Sequence, residues 1–144
     1  MMATLDELAA YLATQLSLTL GTNLFKNKMP ETIDSTGAVL AIYETGGAPS
    51  EFGFGVAGVQ YEHPAIQVVA RGVPDDFDTP RTLAENAYQA LAEVQATTLV
   101  SSASSALYHL IRPLNPPQSI APGPDEKRRV RWSFNVLVEK ELSA

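Results

Sequence analysis

Apolar positions recur at helical spacing near the start of the chain, at Leu5, Leu8, Ala9, Leu12 and Leu16. That spacing predicts an amphipathic helix over about residues 5–17. Thr4 and Glu7 stand three apart at its start, which reads as a capping box: Thr4 caps the Glu7 amide and Glu7 reaches back. Leu24 and Phe25 predict a short strand running toward Lys26 and Lys28. Val39 to Glu44 is apolar and β-branched and predicts a buried strand. Residues 45–63 hold five glycines and a proline and predict a long flexible loop or hairpin. Ala65 to Arg71 predicts the next strand, closed by Gly72 and Pro74.

A second helix follows, with Thr79 as N-cap and Pro80 at the first helical position, where its missing N–H costs nothing. Leu83, Ala87, Leu91 and Val94 form its stripe, with Ala84 and Tyr88 beside them, and this face packs on a sheet. Leu107 to Arg112 reads as a strand. A Pro-rich connection occupies about residues 113–124, with a short strand near Ser119 and Ile120. In the last segment Val130, Trp132, Phe134, Val136 and Val138 alternate with Arg129, Arg131, Ser133, Asn135 and Glu139. That period of two gives a strand with one buried and one wet face. Helices and strands do not alternate regularly, so the pattern predicts one α+β domain over residues 1–144: a mostly antiparallel sheet packed against two helices.

Composition narrows the chemistry. The chain has no cysteine and only two histidines, His63 and His109, so thiolate zinc sites and thiol nucleophiles are excluded and a histidine-rich metal site is not expected. Residues 1–64 carry seven acids against two bases, and residues 65–144 nine against eight, which sum to the net charge of −6. An acidic domain is a poor binder of phosphate backbones. The N-terminus lacks the basic flank of a signal peptide, and the longest apolar run is too short to span a membrane. A soluble product made inside the cell is expected.

Gly53, Gly55 and Gly58 form a G-x-G-x-x-G pattern. A dinucleotide site needs a strand running into those glycines and a helix starting from them. The strand ends near Glu44, and Pro64 introduces another strand, so no helix N-terminus is available for a pyrophosphate. The glycines are better read as a segment that bends or orders itself on a partner. His109 reads as a semi-buried histidine sharing a strand face with Leu107 and Ile111, and His63 as a loop residue. Asp75, Asp76 and Asp78 read as a solvated turn that favours the following helix dipole rather than as a cation site. Residues 127–131, KRRVR, are the one basic cluster. They lack an aromatic platform for nucleic acid beyond Trp132 on the opposite face. Contact with acids of a neighbouring subunit and a plain charged surface stay equally open. No cofactor and no catalytic constellation is expected.

Taken in order, GTNLF, YETGG, HPAIQVVARG, TPRTLAENAYQAL, IRPLNPPQSI and RRVRWSFNVLVE resemble the minor capsid and tail-terminator group of tailed bacteriophages, from about Thr4 to Glu139. The resemblance implies a non-enzymatic structural protein of the virion tail or neck, made in the bacterial cytoplasm. Its subunits assemble into a ring, typically a hexamer, at the top of the tail tube. The ring ends tube polymerisation and meets the head connector, and DNA passes through the lumen without specific binding. The net acidity suits such a lumen. A closed ring needs two different patches on each subunit. The residues assigned to subunit or tube contacts are Val39 and Tyr43 on an edge strand, Gly46, Gly47, Phe52 and Phe54 in the glycine segment, and Arg129 and Arg131. A head-completion or neck connector is the alternative within the same class. A small-ligand binder or enzyme built on the glycine loop is the alternative outside it.

Overall fold

The fold comes from a computed structural model that describes residues 3–30, 37–52, 59–120 and 128–141. Helix α1 spans Ala3–Leu16 and α2 spans Asp78–Ala92. The strands are β1 (Leu24–Lys26), β2 (Val39–Phe52), β3 (Val59–Pro74), β4 (Gln95–Val100), β5 (Ser105–Pro113), β6 (Gln118–Ser119) and β7 (Arg129–Glu141). They form one seven-stranded sheet in the order β1-β2-β3-β7-β5-β4, with β6 added beside β7. Among the described strands β1 and β2 pair parallel and the other pairs are antiparallel. The expected α+β class and its two helices are therefore present.

Both helices lie on one face of the sheet. Leu5, Leu8 and Leu12 of α1 and Ala84, Ala87 and Leu91 of α2 meet Leu40, Ile42, Ile66, Val68, Phe134, Val136 and Val138 in one buried cluster. The alanines of α2 allow it to lie close to the sheet, and Tyr88 fills the remaining space edge-on to Phe134, with ring centroids 5.5 Å apart. Gly72 permits the tightest approach. A Cβ there would lie 2.8 Å from the Pro80 ring.

Several expectations are corrected. Residues 45–52 and 59–63 lie in strands. β2 continues to Phe52 and β3 begins at Val59, so the two strands form a long hairpin, the second of the two forms expected. Its bends are bulges, with register shifts after Glu44 and after Ala48. Gly46 and Gly47 take φ of +103° and +130°, conformations that only glycine adopts without strain. His63 accordingly sits in β3 opposite Ala48. Residues 53–58, which carry the G-x-G-x-x-G pattern, lie outside the described residues, but strands flank them on both sides. Val39–Glu44 is not an edge strand either: Leu24–Lys26 pair with Leu40–Ile42 on one side and β3 pairs on the other.

The start of α2 also differs. Phe77 is the N-cap and makes no side-chain cap; the Thr79 amide donates to the Asp76 carboxylate at 3.1 Å instead. Hydrogen bonds from Thr79 hold the Asp76 pKa below its ordinary value. The acidic turn thus serves the helix terminus, as the sequence suggests. β4 is an addition: Thr97, Thr98 and Val100 carry the β-branched signal. β5 is bulged between Tyr108 and Leu110. The extra residue turns Tyr108 and Ile111 both into the core and leaves His109 exposed, 3.4 Å from Glu141. The expected shared face of His109 and Ile111 is lost to that bulge.

Candidate assembly surfaces

The strand alternation separates two kinds of surface. In the regular stretches 39–43 of β2, 65–71 of β3 and 131–138 of β7, the even-numbered residues Leu40, Ile42, Ile66, Val68, Ala70, Phe134, Val136 and Val138 enter the helix-covered core. Odd-numbered ones form the opposite face, where Val39, Arg71 and Arg131 stand in one row across three strands. Ala41, Val69 and Ser133 form the next row, then Tyr43, Gln67 and Asn135. Three residues assigned from sequence, Val39, Tyr43 and Arg131, are thereby brought onto a single face.

Their exposure differs. Phe25, Val39 and Ala41 make a small second core, with Met29 and Tyr43 packed at its margin. Arg71 is also buried, and its guanidinium donates to the Pro30 carbonyl at 2.6 Å. Val39 and Arg129 are each 1% exposed, so within the subunit both stand behind the surface rather than on it. Tyr43 and Arg131 are half-buried. Burial raises the Tyr43 phenol above its ordinary pKa, against the opposing influence of Arg71. The Arg131 Nε is shut from solvent and has no hydrogen-bond partner among the described residues. Gly46 and Gly47 lie at the bulge of the hairpin, exposed and distant along β2 from the Val39 row. Phe52 pairs through its backbone with Val59 near the hairpin end. Phe54 lies outside the described residues.

On the other side of the sheet, Trp132 packs at the start of α2. Phe77 meets it edge-on at 5.3 Å, and the Arg81 guanidinium lies 5.5 Å from its ring centre. Phe77 remains half-exposed, so this aromatic and arginine group is open to a partner.

One polar cluster escaped the sequence reading. Glu7 and Lys140 are fully buried and form an ion pair at 3.0 Å. Glu7 also accepts from the Tyr108 hydroxyl at 2.7 Å and the Ser104 hydroxyl at 2.8 Å. Lys140 donates to Thr4 Oγ1 at 3.1 Å and faces Glu62 at 3.9 Å. Thr4 and Glu7 are therefore not a capping box. They turn inward to neutralise and hydrogen-bond a lysine placed in the middle of the sheet. Burial pushes the Glu7 pKa up, but the hydrogen bonds and the Lys140 charge outweigh it, and the net shift is downward. Burial, reinforced by Glu7, raises the Tyr108 phenol far above its ordinary value, so it stays protonated and donates. A signal for this cluster exists: the inward alternation Phe134, Val136, Val138, carried one step further, reaches Lys140.

Among the described residues no group of histidines, aspartates and glutamates is placed to hold a metal ion, and no helix is long and apolar enough to cross a membrane. A family model described as bacteriophage tail terminator protein matches residues 11–138. The chain belongs to the bacteriophage tail terminator family. The match covers both edges of the sheet, α2 and the Arg131 face. The same fold occurs in a solved structure titled virion of native gene transfer agent particle, at a TM-score of 0.57 with 15% identity, over 97% of each chain. At that identity the likeness speaks for the fold. No curated protein matches.

Proposed function

We propose that this tail terminator is a structural, non-enzymatic subunit of the virion. Copies assemble as a ring, a hexamer by family resemblance, at the top of the tail tube. The ring stops tube polymerisation and forms the tail side of the head-tail joint. The observation that carries this reading is the family match over nearly the whole chain. The partners are further copies of the chain, the tail-tube protein and the head connector, with DNA passing through the lumen without specific binding. The net charge of −6 supports that last point, since gripping DNA requires excess Lys and Arg. Tyr43, Gly46, Gly47, Phe52, Phe54 and Arg131 are assigned to subunit or tube contacts, with Val39 and Arg129 supporting them from beneath.

Electron microscopy of lysates from a phage lacking this product tests the proposal. Over-long, unjoined tails beside filled, tailless heads are expected. Tails of normal length with leaking heads would move the protein to the neck. Ordinary infectious particles would overturn the reading.

A further inference from the structure

β7 carries its charges in two groups. Arg129 and Arg131 stand at its start, and Glu139 and Glu141 at its end. β3 has the reverse order, with Glu62 early and Arg71 late. Because the two strands pair antiparallel, these charges gather instead of alternating. Arg71 lies opposite Arg131, while Glu62 and Tyr61 lie opposite Lys140 and Glu141. The sheet therefore has a basic end and an acidic end.

The β3–β7 register is constant from Arg71 and Arg131 to Tyr61 and Glu141. Arg131, Glu139 and Glu141 accordingly share the face turned away from the helices. Ser133, Asn135 and Leu137 between them carry no charge. Lys140 points inward to Glu7 and does not offset the glutamates on that face. Glu141 has His109 beside it at 3.4 Å. Arg112 of β5 stands next to Leu137 and is exposed. Among the described residues Arg112, Arg131 and Glu139 take part in no ion pair.

Arg131 and Glu139 are eight positions apart on β7, which is about 26 Å along a strand. Charges on a wet surface are screened beyond about 8 Å at physiological ionic strength, so the two do not neutralise each other within one subunit. Arg131 is half-buried, its Nε is shut from solvent, and Arg71 stands directly opposite. Like charges opposed across strands are unfavourable. A carboxylate brought in from outside offsets that cost, because it pairs with a guanidinium through charge-assisted hydrogen bonds.

We propose that the basic end of this face in one copy, centred on Arg131, receives the acidic end, Glu139 and Glu141, of the next copy. A second copy is the occupant because one face carries both halves of the match. The two patches differ, so the contact is heterologous and repeats head to tail, as a closed ring requires. The inference rests on the ring reading above and supplies the second patch of its subunit contact.

Charge exchange tests it. Mass is read by light scattering on the free protein and by stoichiometry on purified tail tubes, and folding by circular dichroism. Arg131→Glu is expected to stay folded and to lose the oligomer. The combined Glu139→Lys and Glu141→Lys variant is expected to do the same. Mixed in equal amounts the two regain the wild-type mass, because each reversed patch then meets its complement. Arg131→Lys keeps the oligomer and Arg131→Gln weakens it, a comparison that carries the test should Arg131→Glu fail to fold. Full-sized oligomers from folded Arg131→Gln, or from the folded lysine variant, overturn the proposal. A mixture of folded variants that stays monomeric overturns it too, and both results leave the ring reading standing. A wild-type species that stops at two copies shows the face pairing with itself about a two-fold axis and overturns the head-to-tail contact. Loss of tube binding by Arg131→Glu with the oligomer intact gives the basic end to the tube protein and also overturns it. A wild-type chain that stays monomeric both free and on tail tubes overturns the ring reading together with this inference.

Discussion

The ammonium of Lys140 on β7 stands 3.0 Å from the carboxylate of Glu7 on α1, with both side chains fully buried. The pair ties the first helix to the last strand. Its value lies less in net stability than in what happens when half of it is lost. A buried charge left without its partner costs about 3–5 kcal/mol. Lys140→Met is expected to destabilise the fold by that amount in urea unfolding. Combining it with Glu7→Gln should recover part of the loss, because the orphaned charge is then gone. Equal stabilities for Lys140→Met and the wild type would show that the pair is not formed in solution.

The same pair sets an acid limit. The Glu7 pKa is lowered from 4.5 in the fold. A depressed carboxylate contributes stability above its unfolded value, and that contribution disappears as pH falls through the folded value. Unfolding free energy should therefore drop as pH falls below about 4.5. Glu7→Gln should flatten that part of the profile. Profiles of identical slope for the variant and wild type would assign the acid sensitivity to other carboxylates.

Gly47 is fixed by two independent constraints. Its φ of +130° excludes other residues without strain, and a Cβ would lie 2.1 Å from the His63 carbonyl oxygen. Gly47→Ala should open the β2–β3 pairing around Ala48 and His63, at a cost of about 1–3 kcal/mol for the strained backbone alone. Hydrogen exchange would show faster exchange at His63 and its neighbours, while Ile66 and Val68 stay protected. Unchanged protection at His63 would mean that the bulge shifts to accommodate the methyl group.

The apolar periods carried much of this fold. α1, the stripe on α2 and the alternation of β7 follow from residues three, four or two apart. What stayed hidden depended on partners distant in the chain. Thr4 and Glu7 match a capping box in sequence because that pattern is local; Lys140, which draws them inward, is 136 and 133 residues away. The glycines at 46 and 47 signal a bend, but a bulge within a strand and a loop use the same residues. The β5 bulge changes the facing of His109 through one extra residue, which no alternation count reveals. The candidate surface was legible to the same extent. Parity put Arg129 and Arg131 on one face, whereas the burial of Arg129 and Val39 depends on what packs over that face.

That difference in burial separates two arginines that sequence treats alike. Arg131 is half-buried and pairs across the strands with Arg71, while Arg129 is 1% exposed. Arg131→Glu is expected to leave the subunit folded and to weaken assembly, since a reversed charge at a subunit contact is repelled where it was attracted. Arg129→Glu buries a carboxylate where a guanidinium was accommodated and is expected to lower stability by several kcal/mol before assembly is reached. A variant carrying both Arg129→Glu and Arg131→Glu would confound the two effects. Light scattering for mass and circular dichroism for folding, read on each single variant, separate them. A folded Arg131→Glu that still forms full-sized oligomers would remove Arg131 from the contact.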